Sequence, residues 1–210
     1  MEKNQIVAML DLQNRMNSKV NPEWVTQGWN FLRAARQELH EGIDHYGWKW
    51  WKKQEPNIEQ AKIELVDVWH FIMSDVIVQA QGDLGVAADI AYNAQQKPGY
   101  SQEPLWAFEN LINATFITHP VTRNPAVFGW FFDACRSLDL SEEELYTVYV
   151  GKNVLNIFRQ DNGYKDGTYI KIWNGEEDNV HLEEILRETK DPAEILNRLQ
   201  SRYFLVCAPH

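Results

Sequence analysis

Apolar residues recur at three- and four-residue spacing along most of the chain, and this is the period of amphipathic α-helices. One segment, 58–80, is apolar on nearly every side, as expected of a helix buried in the core. Strand-like alternation is confined to residues 168–172, which are too few to found a sheet. The pattern predicts an all-α helical bundle with helices over residues 6–17, 24–46, 58–80, 86–95, 105–118, 124–138, 141–158, 180–187 and 192–201.

Residues that start and stop helices support this division of the chain. Ser141 followed by Glu144 has the spacing of a capping box and should open the helix of residues 141–158. A chain of 210 residues suits one domain. The turn signals within residues 82–121 mark the segment that could form a small lobe on it.

The balance of charge argues against polymeric nucleic acid as a partner. Lys and Arg number 20 against 30 Asp and Glu, a net charge of -10, and such a surface repels a phosphate backbone. No stretch approaches the about 18 apolar residues of a membrane span, and the N-terminus lacks a basic, apolar leader. We therefore expect no membrane attachment and a cytoplasmic location. Cys135 and Cys207 are isolated in sequence, which favours reduced thiols.

Two pairs of carboxylates stand three residues apart on helical segments, Glu38 with Glu41 and Glu64 with Asp67. Residues at i and i+3 share a helix face, so each pair can direct its oxygens at one point. Glu64 and Asp67 lie on the apolar helix, where a buried carboxylate needs a compensating cation. A divalent metal and a buried salt bridge to Lys or Arg both satisfy that need, and a solvated acidic face would explain the other pair.

The kind of metal follows from the ligands. Hard oxygen ligands, with little His and no Cys nearby, favour Mg²⁺, with Mn²⁺ as a substitute, over Zn²⁺. Because four carboxylates would repel a polyphosphate, metal ions would also be needed to draw an anionic substrate to them.

A basic stretch of residues 152–173 supplies the opposite charge. Lys152, Asn156 and Arg159 share one helix face by their spacing of four and three residues. Taken singly, each of the cations could be a solvated surface charge. Together they could hold a triphosphate.

Glycines follow this helix at Gly163 and Gly167 and permit tight turns. Such turns could bring Tyr164, Lys165 and backbone N–H groups around a phosphate.

Aromatic residues adjoin both carboxylate pairs. Trp48, Trp50 and Trp51 could stack on a base or cap the core, and core packing is favoured for at least two of them. Phe71 lies on the same helical arc as Glu64 and Asp67, where a ring could cover a sugar or a base. We interpret His70 as a hydrogen-bonded core residue.

The chain resembles the dimeric, all-α deoxyuridine triphosphate nucleotidohydrolases, or dimeric dUTPases, of the all-α NTP pyrophosphatase superfamily. The resemblance spans most of the chain and is strongest in ELVDVWHF, residues 64–71, and in LNIFRQDNGYKDGTYIKIWNGEEDN, residues 155–179. It implies a homodimer that hydrolyses dUTP, and usually dUDP, with Mg²⁺. Release of dUMP and pyrophosphate would limit uracil in DNA and supply dUMP for dTMP synthesis.

The resemblance also assigns roles to individual residues. It implies that Glu38, Glu41, Glu64 and Asp67 bind the metal and that Glu41 or Glu38 activates the attacking water, with Glu41 preferred. The residues that it implies for substrate binding are Gln13, Asn17, Trp48, Asn156 or Asn153 on the uracil, Phe71 on the deoxyribose, and Lys152, Arg159, Tyr164, Lys165 and Lys171 on the phosphates.

Two other functions fit the same residues. A pyrophosphohydrolase of broader choice, acting on dCTP as well as dUTP, would keep the carboxylates and change the base contacts. A non-enzymatic regulator would use the nucleotide site to gate binding of a protein partner.

Overall fold

The computed structural model describes residues 1–95, 103–116 and 126–207, and most of these residues are helical. The fold is all-α, as predicted. In the described residues the helices are α1 (Lys3–Val20), α2 (Phe31–Tyr46), α3 (Ile58–Gln79), α4 (Leu84–Gln95), α5 (Pro104–Phe116), α6 (Ala126–Ser137), α7 (Glu142–Asp161), α8 (Asp178–Glu188) and α9 (Pro192–Cys207). Two strands of two residues each, β1 (Ile172–Trp173) and β2 (Glu176–Glu177), pair antiparallel between α7 and α8.

Side-chain caps fix where several helices begin. Asn30, Asn57 and Ser141 each accept a hydrogen bond from the backbone N–H three residues further on, at the starts of α2, α3 and α7. Such a cap contributes about 1 kcal/mol by satisfying an N–H that has no partner inside the helix. The helix start predicted at Ser141 is confirmed.

The predicted helix over residues 24–46 was wrong at its N-terminal end. Residues Trp24–Thr26 form a separate 3-10 turn, and Gly28 has a φ of +69°, in the left-handed region that favours glycine. The α-helix begins only at Phe31, after the Asn30 cap. The strand-like alternation at 168–172 forms no strand over most of its length, since β1 occupies only Ile172–Trp173. Predicted helix ends at 117–118 and 124–125 lie outside the described residues.

Helix α3 occupies the centre of the main hydrophobic core and packs against α1, α2, α4, α6 and α7. Its Trp69 is 1% exposed and stacks on Phe131 of α6 with ring centroids 4.5 Å apart. The prediction of a helix buried in the core is confirmed for most of α3, while its first turn, with Glu59, reaches solvent. The described part of residues 82–121, which includes Ala87 and Phe108, belongs to this same core.

A second hydrophobic cluster joins the C-terminal segment to the end of α7. Leu155 and Phe158 of α7 pack there with Trp173 of β1, Leu182 of α8 and Leu199 of α9. The last turns of α7 therefore face α1 and α3 on one side and the C-terminal segment on the other. Within the described ranges, we find no helix with the length and apolar character needed to cross a membrane.

Candidate active site

Three of the four predicted carboxylates meet between α2 and α3. Glu38 and Glu41 of α2 and Glu64 of α3 each bring one carboxylate oxygen within 4.8 Å of the others. Glu64 is buried, Glu38 is half-buried and Glu41 is exposed, so the group opens from the core toward solvent. His45 stands beside it, with Nε2 3.5 Å from Oε1 of Glu64.

Burial and the charges of neighbouring acids raise the pKa of two of these carboxyl groups. Burial, followed by the nearby charges of Asp67 and Glu41, raises the pKa of Glu38 to about 7, against the opposing effects of a hydrogen bond with Glu64 and the charge of Lys152. Burial, followed by the charges of Asp67 and Glu38, raises the pKa of Glu64 to about 8. Both shifts have the sign expected when negative charge exceeds positive charge in a partly desolvated site. The cluster therefore favours protons or a cation.

Asp67, the fourth predicted carboxylate, forms a buried salt bridge. Its Oδ2 lies 2.8 Å from Nζ of Lys152, whose side chain is 8% exposed. The salt bridge that the sequence left as an alternative to metal binding is therefore present for this residue. Lys152, which we had expected among the phosphate-binding cations, lies against the carboxylates.

A cavity of about 200 Å³ opens beside the carboxylates, and two of the four predicted carboxylate residues line it. Glu38 and Asp67 form part of its wall. The remaining lining residues come from α1, α3, α7 and the turn after α7, and they are Gln13, Met16, Asn17, His70, Phe71, Asn156, Arg159, Gln160 and Tyr164. Ligand pockets commonly span about 300–1,000 Å³, so this cavity has room for only part of a ligand of that class.

Amide side chains in the cavity wall are held by a buried hydrogen-bond chain. Nε2 of Gln13 donates to Oδ1 of Asn17 at 3.1 Å, and Nδ2 of Asn17 donates to the Ser74 hydroxyl at 2.9 Å. The hydroxyl of Tyr149 donates to Oε1 of Gln13 at 2.9 Å. Because each amide has a partner inside the protein, its orientation in the cavity is set before a ligand binds.

His70 and Asn153 form the innermost layer of this chain. Nδ1 of His70 lies 2.9 Å from Oε1 of Gln13 and 3.1 Å from Nδ2 of Asn153. Complete burial is the main cause that lowers the pKa of His70 to about 4, so the ring is neutral near pH 7. Nε2 of His70 and Oδ1 of Asn153 have no hydrogen-bond partner among the described residues. Unpaired buried polar atoms are costly, and a ligand could satisfy them.

Arg159 of α7 lines the cavity, but its guanidinium group already donates hydrogen bonds within the protein. Its Nε and Nη2 donate to the two carboxylate oxygens of Asp178, each at 2.7 Å. Its Nη1 donates to Oδ1 of Asn156 at 2.9 Å. Burial alone would lower the pKa of Arg159, but the hydrogen bonds and charge of Asp178 raise it.

The predicted glycine turns are present, and hydrogen bonds between backbone groups close them. Gly163 and Gly167 have φ values of +89° and +73°. The N–H groups of Tyr164 and Thr168 donate to carbonyls of Arg159 and Gly163 within the turn. These two N–H groups therefore have hydrogen-bond partners within the turn and do not face a ligand in this conformation.

Three other residues predicted to contact the substrate lie outside the cavity wall, and they are Lys165, Lys171 and Trp48. Lys165 donates to the carbonyl of Val20 at 2.9 Å, and Lys171 pairs with Glu177 at 3.0 Å. Trp48 is 41% exposed and donates to Asp44. Tyr164 and Phe71 line the cavity, while Lys165, Lys171 and Trp48 do not.

Sequence reasoning missed three residues of the cavity wall, which are Met16, His70 and Gln160. His70 is buried and hydrogen-bonded, as interpreted, but its ring also faces the cavity. One signal was available, because His70 follows Asp67 by three residues and so shares its helix face. Of the two Asn alternatives, Asn156 lines the cavity and Asn153 is fully buried behind it.

The donor set at the carboxylates fits a divalent cation. Three carboxylates offer hard oxygen ligands within reach of one point, and the raised pKa values of Glu38 and Glu64 show that their charge is under-compensated. Glu38 would face both the metal and the cavity.

Comparison with known proteins identifies the family of the chain. The family model described as dUTPase matches residues 5–164. A search of curated proteins found no match. Because the family match covers more than half of the 210 residues and includes α1 to α7, the chain belongs to the dUTPase family of all-α enzymes that hydrolyse dUTP.

Proposed function

We propose that the protein hydrolyses dUTP to dUMP and pyrophosphate, and dUDP to dUMP and phosphate, with Mg²⁺ as its metal. The observation that carries this proposal is the shared wall of the site. Glu38 belongs both to the group of three carboxylates and to the wall of the amide-lined cavity, and Asp67, whose charge acts on Glu38, lines the cavity beside it. A nucleotide with its base in the cavity would thus extend its phosphates toward the acids.

The base would lie among the amides. Gln13, Asn17 and Asn156 offer donors and acceptors of fixed orientation, and the unpartnered Nε2 of His70 is a further contact. Uracil presents two carbonyl oxygens and an N–H, which such a set can satisfy. The Phe71 ring would pack on the deoxyribose and leave little room for a 2′-hydroxyl.

The phosphates would lie between the acids and the basic residues. Mg²⁺ is held by Glu38, Glu41, Glu64 and Asp67 in this proposal, and when bound it polarises phosphoryl oxygens and offsets their charge. Lys152, which pairs with Asp67, and Arg159, which lines the cavity, would contact the phosphates in this proposal. Tyr164 lines the cavity already, whereas Lys165, Lys171 and Trp48 would complete the binding set only if the segments that carry them move toward the substrate.

Water would be the nucleophile, with Glu41 as its base. The new bond joins the water oxygen to phosphorus, the bond from that phosphorus to the leaving phosphate oxygen breaks, and the water proton passes to the carboxylate. Nε2 of Gln37 donates to Oε1 of Glu41 at 3.0 Å, which orients the carboxylate. Glu38, whose pKa is raised to about 7, is the alternative base.

A panel of nucleotides tests the proposal. Pyrophosphate release is measured for dUTP, dTTP, dCTP, dATP, dGTP and UTP with Mg²⁺. We expect turnover of dUTP at least about a hundredfold above dCTP, dATP and dGTP, because buried amides reject a base that leaves them unpaired. UTP carries the same base and would be rejected through its 2′-hydroxyl against Phe71, and dTTP through its 5-methyl group in a tight pocket. Equal hydrolysis of dCTP would support the broader pyrophosphohydrolase instead. If no nucleotide released pyrophosphate, the result would contradict catalysis and favour the non-enzymatic regulator.

We also propose that the active form is a homodimer. Trp106 and Phe116 of α5 are 49% and 63% exposed, so this helix presents apolar rings to water. A second copy that covers α5 would remove them from water. Sedimentation equilibrium should give twice the chain mass for the wild type and a weaker dimer for Trp106→Glu. A monomer at micromolar concentration would refute this part of the proposal.

A further inference from the structure

The side chain of Arg159 is held from outside the part of the chain that matches the family model. Asp178, the first residue of α8, receives both Nε and Nη2 of Arg159 at 2.7 Å and is 0% exposed. The hydroxyl of Tyr169 donates to the same carboxylate at 2.8 Å. The match ends at residue 164, so Tyr169 and Asp178 both lie beyond it.

The hydrogen bond between Arg159 and Asn156 determines which atom of the Asn156 amide group faces the guanidinium. A guanidinium group carries five N–H donors and no acceptor. Since Nη1 donates to Asn156 at 2.9 Å, the partner atom must be the amide oxygen. The NH₂ group of Asn156 is the end left for a ligand in the cavity that this residue lines.

We propose that Asp178 is a positioning residue that sets the choice of uracil over cytosine, by holding Arg159 so that Asn156 presents its NH₂ group to the base. Uracil carries a carbonyl oxygen at the position where cytosine carries an amino group. A fixed NH₂ group pairs with the carbonyl and opposes the amino group donor to donor. This inference rests on the proposed function, because it takes a deoxyuridine nucleotide as the ligand.

Asp178 could instead serve only to attach α8 to α7, so the test needs a readout that stability alone does not move. That readout is the ratio of kcat/KM for dUTP to kcat/KM for dCTP. In Asp178→Asn, one of the two carboxylate acceptors becomes a donor that faces the guanidinium. We expect Arg159 and then Asn156 to lose their fixed orientation, and the ratio to fall by about tenfold.

A matched variant controls for destabilisation. Leu182→Ala removes a side chain that is 2% exposed in the same C-terminal cluster and leaves the Arg159 bonds untouched. It should lower the melting temperature and leave the ratio unchanged. If Asp178→Asn does not fold, Tyr169→Phe removes one hydrogen bond to the carboxylate and should lower the ratio in the same direction by about two- to fivefold.

Binding of dUMP and dCMP, measured by calorimetry, gives the same comparison without catalysis and should show the same loss of preference. The inference is overturned if folded Asp178→Asn keeps the wild-type ratio, if Leu182→Ala changes the ratio equally, or if the wild type binds dUMP and dCMP alike. Failure of the wild type to hydrolyse dUTP would instead contradict the proposed function, and the binding ratio would still decide the role of Asp178.

Discussion

Glu64→Gln is expected to reduce dUTP turnover with Mg²⁺ by about a hundredfold or more. Glu64 is the most buried of the three clustered carboxylates, and the substitution removes one oxygen ligand and its charge while keeping the size of the side chain. Loss of a residue that only supports a metal ligand typically costs 10- to 100-fold, about the minimum expected for a ligand itself. The measurement is pyrophosphate release at saturating dUTP.

The variant should remain folded, so that lost activity reports on the site. Burial and neighbouring acids raise the pKa of Glu64 to about 8, which means that its charged form is unfavourable in the metal-free protein. Glutamine removes that charge. We therefore expect Glu64→Gln to be at least as stable as the wild type in chelator at about pH 8.

Glu59→Gln is the matched control, because Glu59 is exposed on the same helix and pairs with Lys62 at 3.2 Å. Its turnover should equal that of the wild type, since exposed ion pairs contribute little. Near wild-type turnover of Glu64→Gln in Mg²⁺ would show that the carboxylate group is not the metal site.

Removing the metal is expected to make stability depend on pH. The pKa values of Glu38 and Glu64 in the folded protein are about 7 and about 8, above the value of 4.5 for an unperturbed glutamate. Between these limits the folded protein binds more protons than the unfolded chain. The stabilisation that Glu38 and Glu64 contribute is therefore complete below the pKa of the unfolded chain. It is lost as the pH rises through their pKa values in the folded protein.

Thermal unfolding in chelator from about pH 5 to about pH 8.5 measures this effect. The melting temperature should fall toward high pH, and Mg²⁺ should restore it most at high pH, where it replaces the missing protons. Glu64→Gln should flatten the profile in chelator. A wild-type profile that is flat with pH and unchanged by Mg²⁺ would contradict the under-compensated charge that we infer.

The helices were predictable because their signals are local. The apolar period of α3 and the cap at Ser141 depend only on residues a few positions apart. The spacing of Glu38 with Glu41 placed both acids on one face for the same reason. The start of α2 was missed because Gly28 and Asn30 override an apolar period that continues through them.

The pairing of charges could not be predicted, because it joins distant parts of the chain. Lys152 and Asp67 meet only through the packing of α7 on α3. Arg159 and Asp178 meet only through the position of α8, which Trp173 and its neighbours fix against α7. Sequence spacing therefore identified candidate donors and acids but not which of them neutralise one another.

The central claim is that the carboxylates hold a metal on which dUTP hydrolysis depends. Its most direct test is pyrophosphate release from dUTP by the wild-type protein in Mg²⁺, then after chelation, then after return of Mg²⁺ in excess. We predict turnover that is abolished by chelator and recovered with Mg²⁺ in the same sample. Turnover of dUTP that persists unchanged in chelator would contradict the account.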